Sequence, residues 1–138
     1  MRPVKYLNPA DLAPQSASDR LGSAEEFLRM GKAEIQRGRR EFHLETIREG
    51  AEKVFHALVE ATNARLLKYG SVPPPQHREV LILLEGIDPD LHDAYEETFS
   101  RLHILTYYQG VVDMEKIEAC VGRVEEAIGR VRRYVRGR

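Results

Sequence analysis

Apolar and small residues recur at alternating steps of four and three along most of this chain, the spacing of one face of an α-helix. The first stripe is Ala17, Leu21, Ala24, Leu28, Gly31 and Ile35. Ser16 precedes it, with a hydroxyl able to accept a backbone N–H, Asp19 lies in the first turn, and Gly38 is the expected stop. A second stripe of Ile47, Ala51, Val54, Phe55, Leu58, Ala61, Thr62, Leu66 and Tyr69 predicts a helix over 42–69, closed by Gly70. Ser71-Val72-Pro73-Pro74-Pro75 cannot continue it, because proline lacks the N–H and restrains its predecessor. A short helix over 77–86 carries Val80, Leu81, Leu83 and Leu84. Asp88-Pro89 reads as N-cap and first residue of a fourth helix, which runs to 109 and ends at Gly110. Asp113 caps the last, whose stripe is Ile117, Cys120 or Val121, Val124, Ile128, Val131 and Val135.

No period-2 segment of any length competes with these stripes. Four long helices and one short one, with short connections, predict an all-α, antiparallel up-and-down bundle. Residues 1–15 hold Pro3, Pro9 and Pro14 with little periodicity. They read as an extended lead-in, with Tyr6 and Leu7 tucked onto a single domain over 16–138.

Composition removes several function classes. With 42% hydrophobic and 31% charged residues and a net charge of -1, the chain is not wholly disordered. No apolar run approaches the roughly 18 residues of a membrane span, and no apolar segment follows Met1-Arg2 as a secretory signal would. Cys120 is the single cysteine, so no internal disulfide forms and a cytoplasmic location is expected. Charge comes mostly from Glu and Arg and Trp is absent, a profile like that of proteins from hot environments. The histidines form no HExxH and have no cysteine pair beside them, and, His92–Glu96 aside, no histidine and carboxylate four apart have a third ligand nearby, so no metal or other cofactor is expected. Nucleophile elbows and glycine-rich phosphate loops are also missing.

The fourth helix carries two stripes. Leu91, Tyr95, Thr98, Leu102 and Leu105 suit the core, and beside them run His92, Glu96, Phe99, His103 and Tyr107. The second stripe is either a homodimer interface built on His92, Phe99, His103 and Tyr107, or one broad buried face whose histidines bond to backbone or to Glu96. Arginines gather in two groups, Arg37, Arg39 and Arg40, and Arg130, Arg132, Arg133, Arg136 and Arg138. Alternating helices would bring both groups to one pole, a surface for a phosphate backbone. Two blander readings stand beside that one. Arginines complement the dipole at helix C-termini, and the acidic start of the fourth helix (Asp88, Asp90, Asp93, Glu96, Glu97) can pair with them.

Two segments resemble a known family. Gly50-Ala51-Glu52-Lys53-Val54-Phe55-His56-Ala57-Leu58 resembles the A-x-E-K-aromatic-x-A centre of the second helix in archaeal PaREP-type proteins. Leu102-His103, followed by Tyr107-Tyr108, resembles the LH…FY segment of their later helix. The resemblance spans roughly residues 16–135 in element order and extends more distantly to HEPN domains. It implies a small, often dimeric helical bundle. Many HEPN proteins are metal-independent ribonucleases of toxin–antitoxin or defence systems, and some pair with a small nucleotidyltransferase.

The HEPN signature is an arginine followed four to six residues later by histidine, whereas Arg101-Leu102-His103 leaves one residue between them. At about 100° per residue these two side chains leave nearly opposite sides of a helix. The expectation is therefore a homodimeric HEPN-like protein that binds nucleotide or RNA through Arg37, Arg39, Arg40, Arg130, Arg132 and Arg133, without efficient catalysis. The alternative is a divergent ribonuclease with His103 as base, Arg101 on the phosphate and Tyr107 positioning. A third reading is an interaction module for a nucleotidyltransferase.

Overall fold

The computed structural model describes residues 16–137, so the lead-in over 1–15 and Arg138 lie outside the described residues. The described chain is helical, without a strand: α1 (Ala17–Arg40), α2 (Leu44–Tyr69), α3 (His77–Ile87), α4 (Pro89–Thr98), a π-helix (Phe99–Tyr108) continuing α4, and α5 (Met114–Arg136). The all-α bundle is thus as the stripes predict. Among the described residues no helix is long and apolar enough to cross a membrane.

Most helix ends obey the local chemistry. Ser16 and Asp19 form a reciprocal capping box, the Asp88 and Asp113 carboxylates accept the N–H of Leu91 and Lys116, and Gly70 closes α2 with a left-handed φ of 99°. Gly38 is not a stop, however. It lies inside α1, where an added Cβ would meet Ile47 N at 2.9 Å and the His43 carbonyl at 2.9 Å. Gly31 and Gly50 face each other just as closely, each within 2.8 Å of the other's carbonyl once a Cβ is added. Missing side chains let α1 and α2 approach backbone to backbone.

α2 is the central helix. Ala51, Ala57, Ala61 and Ala64 are fully buried on it, and their small side chains admit neighbours on several sides. Pairs such as Arg20 with Glu60 and Lys53 with Glu34 set α1 antiparallel to α2. Arg65 with Asp88 (3.1 Å), and Arg48 Nη2 with the Tyr107 carbonyl (2.6 Å), set α4 and the π-helix antiparallel to it as well.

The two arginine groups do not share a pole. Arg39 pairs with Glu118, Lys32 with Glu125 and Arg132 with Glu25, so α1 and α5 are antiparallel and their C-termini lie at opposite ends. The cause is α3. Val72 to Gln76 folds back over Val59, Asn63 and Leu67 of α2. α3 then starts beside Phe55 and runs to the Arg65 end. Return and helix cancel, so α3 is no extra traverse of the bundle.

Candidate functional site

α2, α3 and the π-helix bring five rings together: Phe55, His77, Phe99, His103 and Tyr107, with Tyr108 at the edge. A π-helix closes its turn on the fifth residue following rather than the fourth, a geometry rarely sustained beyond a single turn and frequent at functional sites. Here the Gln109 N–H donates to the Ile104 carbonyl at 2.9 Å. The wider turn carries Tyr107 and Tyr108 to the same side as His103, with ring centroids 6.4 and 4.9 Å from it. It also moves the core stripe. Thr106, not Leu105, follows Leu102 into full burial. Arg48 gathers the carbonyls at the end of this segment, donating to Thr106 and Tyr107.

His103 is bound through Nδ1 to both oxygens of Glu52, at 2.8 and 2.9 Å. Its ring stacks on Phe55 at 4.9 Å and 28°. A carboxylate only accepts, so in the neutral ring Nδ1 carries the hydrogen and Nε2 the lone pair. The histidine partner is thus Glu52 rather than Glu96, which is exposed. His77 stands 5.9 Å from His103, centroid to centroid, and its Nδ1 meets the buried Tyr95 hydroxyl. Burial lowers the His77 pKa, the His103 charge lowers it further, and Glu52 opposes both. Burial also raises the Tyr95 phenol, which keeps its proton.

His77 and His103 open into a groove of roughly 450 Å³ walled by Phe27, Phe55 and Val59, with Lys53 and His56 on its rim. Val59 and His77 also border a cavity of roughly 380 Å³ beneath Pro73–Pro75, where Asn63 and Gln76 supply amides. The two spaces share Val59 and His77 as wall residues and lie next to each other along α2. Together they make up a channel, mostly apolar with a few placed polar groups, the character of a small-molecule site.

The remaining expected site residues scatter. Arg101 lies across the helix from His103, in a shallow depression with Glu97, Lys116 and Arg123. Phe99 and His103 are covered by α2 and α3 of their own chain, and His92 pairs with its neighbour Asp93 at 3.0 Å. Arg130 is held by Asp88 and Asp90, and Arg132 and Arg136 by Glu25. Arg37, Arg40 and Arg133 have no ion pair among the described residues and are exposed. No cluster of three or more His, Cys, Asp or Glu suited to a metal occurs among the described residues.

Glu52, His77 and Tyr95 are the members of the site that sequence reasoning missed. Glu52 and Phe55 did carry a signal, as neighbours three apart inside the A-x-E-K-aromatic block. His77 gave none. Compared with protein-family models and with curated proteins, the chain matches none.

Proposed function

We propose that this bundle is a HEPN-like protein that binds a nucleotide, or a single-stranded segment of RNA, in the channel along α2. The observation that carries the reading is His103, fixed by Glu52 and set in a layer of aromatic rings at an open groove. Bases stack on aromatic and imidazole faces with little dependence on sequence. Lys53 on the rim supplies a cation near a phosphate, although Glu34 shares it. The arginine groups are secondary in this reading, since three of the four described arginines at the α5 end (Arg130, Arg132 and Arg136) are already paired with acids of the chain.

The Glu52–His103 pair favours one further reading, a metal-independent ribonuclease. A carboxylate holding Nδ1–H leaves Nε2 to take a hydroxyl proton. With Arg101 on the far side of the helix, the phosphate would need a different cation, from Lys53 or from a second copy of the chain.

Fluorescence anisotropy with a short labelled single-stranded RNA at low salt tests both. The first reading expects saturable binding that His103→Ala weakens about tenfold and that Arg37→Ala with Arg40→Ala leaves within about twofold. Binding lost with the arginines and kept without His103 would reject the channel. Metal-free cleavage of the RNA, abolished by Glu52→Ala, would promote the second reading over the first.

A further inference from the structure

We propose that His77 and His103 act as a donor–acceptor pair that selects ribonucleotides, with a ribose hydroxyl donating to His103 Nε2 and a neighbouring phosphate oxygen accepting from His77 Nε2–H. The inference rests on the nucleotide reading of the channel and adds its ligand chemistry and two residues, His77 and Tyr95.

The two imidazoles face unlike partners, and this fixes them in opposite tautomers. Glu52 has no proton to give, so His103 presents an acceptor at Nε2. Tyr95 is the reverse. Its side chain is 1% exposed, and His77 Nδ1 is its one hydrogen-bond partner among the described residues. A buried phenol must place its proton on an acceptor, so Tyr95 O–H donates to His77 Nδ1 and the His77 hydrogen sits on Nε2. Burial keeps that ring neutral, which preserves Nδ1 as an acceptor. Glu52, Lys53 and His56 of α2 line the groove beside the pair, Glu34 of α1 holds Lys53, and Arg20 of α1, paired with Glu60, lines the adjoining cavity with His77.

Both rings border the same groove, with centroids 5.9 Å apart. At that separation, hydrogen bonds of about 2.9 Å from the two Nε2 atoms can reach oxygens a few ångströms apart, the spacing of oxygens on adjacent sugar carbons. A 2′-hydroxyl beside a 3′-phosphate offers one donor and one acceptor in that arrangement. A deoxyribose leaves His103 Nε2 without its donor, and a buried polar atom that loses its partner carries the full desolvation penalty.

The test has two arms on the full chain. Imidazole ¹⁵N spectra near pH 7.5 read the tautomers directly, and the expected result is hydrogen on Nδ1 of His103 and on Nε2 of His77. Calorimetry then compares adenosine 3′-monophosphate with its 2′-deoxy form. The ribonucleotide should bind about 10- to 100-fold more tightly. Tyr95→Phe should narrow that preference by releasing the His77 tautomer. If that core variant fails to fold, His77→Ala at its half-buried position should narrow it equally, and His77→Gln, which restores an N–H, should recover part of it. Equal affinity for both nucleotides overturns the selection and leaves the channel standing. Binding of neither overturns the selection and the channel together, and one shared tautomer on both rings overturns the donor–acceptor pair.

Discussion

Glu52 and His103, 51 residues apart in sequence, meet at 2.8 Å because α2 and the π-helix run antiparallel with the Phe55 ring as the floor between them. The contact needs both the α2 register and the π winding. An α-helical turn through residues 99–108 would rotate Tyr108 away and uncover one side of the imidazole. The site is therefore a product of packing, and its stability depends on residues far from the groove.

The glycine contact of α1 with α2 is the first such dependence. Gly31→Ala should destabilise the fold by about 1–3 kcal/mol, since the new methyl meets Gly50 backbone at 2.7 Å and Val54 at 2.8 Å. Gly122→Ala in α5 has nothing within 4 Å and should stabilise by about 0.5–1 kcal/mol. Urea unfolding of the two variants checks the opposite signs.

Asp88 is a second. Its carboxylate caps α4 at Leu91, bonds Arg65 Nε at 3.1 Å and receives Arg130 at 3.2 Å, while Arg65 lies 3.6 Å over the Tyr134 ring. Asp88→Ala leaves the buried Arg65 charge without its counter-ion and should cost about 3 kcal/mol. Asp88→Asn keeps the cap and should cost less. Thermal unfolding monitored by circular dichroism gives the ordering.

These examples mark how far the sequence was legible. Helices, caps and core stripes follow from local chemistry that acts within a few residues, and Ser16, Asp88, Gly70 and Asp113 reveal it directly. Chain direction was not legible, because whether residues 71–76 span the bundle or fold back depends on how the proline segment lies over Val59 and Leu67, across the cavity they share. The site was half legible. His103 stood out by its stripe, but its pairing with Glu52 rests on a turn whose winding leaves no periodic trace, and His77 reaches the groove only through the fold-back.

The histidine that the fold holds neutral makes stability depend on pH. Burial first, and then the His103 charge, lower the His77 pKa below its free value near 6.5, against the pull of Glu52. The unfolded chain thus binds more protons than the folded one as pH falls through about 6.5 toward the lowered value. His77 contributes stability above that range, which is lost across it on acidification. Between pH 7.5 and 5.5, His77→Gln should show a flatter fall in unfolding free energy than wild type. An unchanged slope would mean that His77 is not held neutral.

Cys120 should be chemically quiet. It is 2% exposed on α5, and burial, with Glu97 adding to it, pushes the thiol up to about 11 against the opposing pull of Arg101, Thr98 and Arg123. Labelling by a disulfide reagent at pH 8 should be ~100-fold slower than for a free thiol and become fast in denaturant. Rapid labelling of the native protein would contradict the packing of α5.

The salt dependence of RNA binding tests the location of the site most directly. Each phosphate neutralised on a single strand lowers log K by about 0.7 per decade of salt. A channel whose lining cations, Lys53 and Arg20, are each shared with a glutamate predicts a slope of one to two phosphates at most, about −0.7 to −1.4, unchanged when Arg37, Arg40 and Arg133 are replaced by alanine. A slope several times steeper that collapses in the arginine variant would place binding on the bundle ends and contradict the channel.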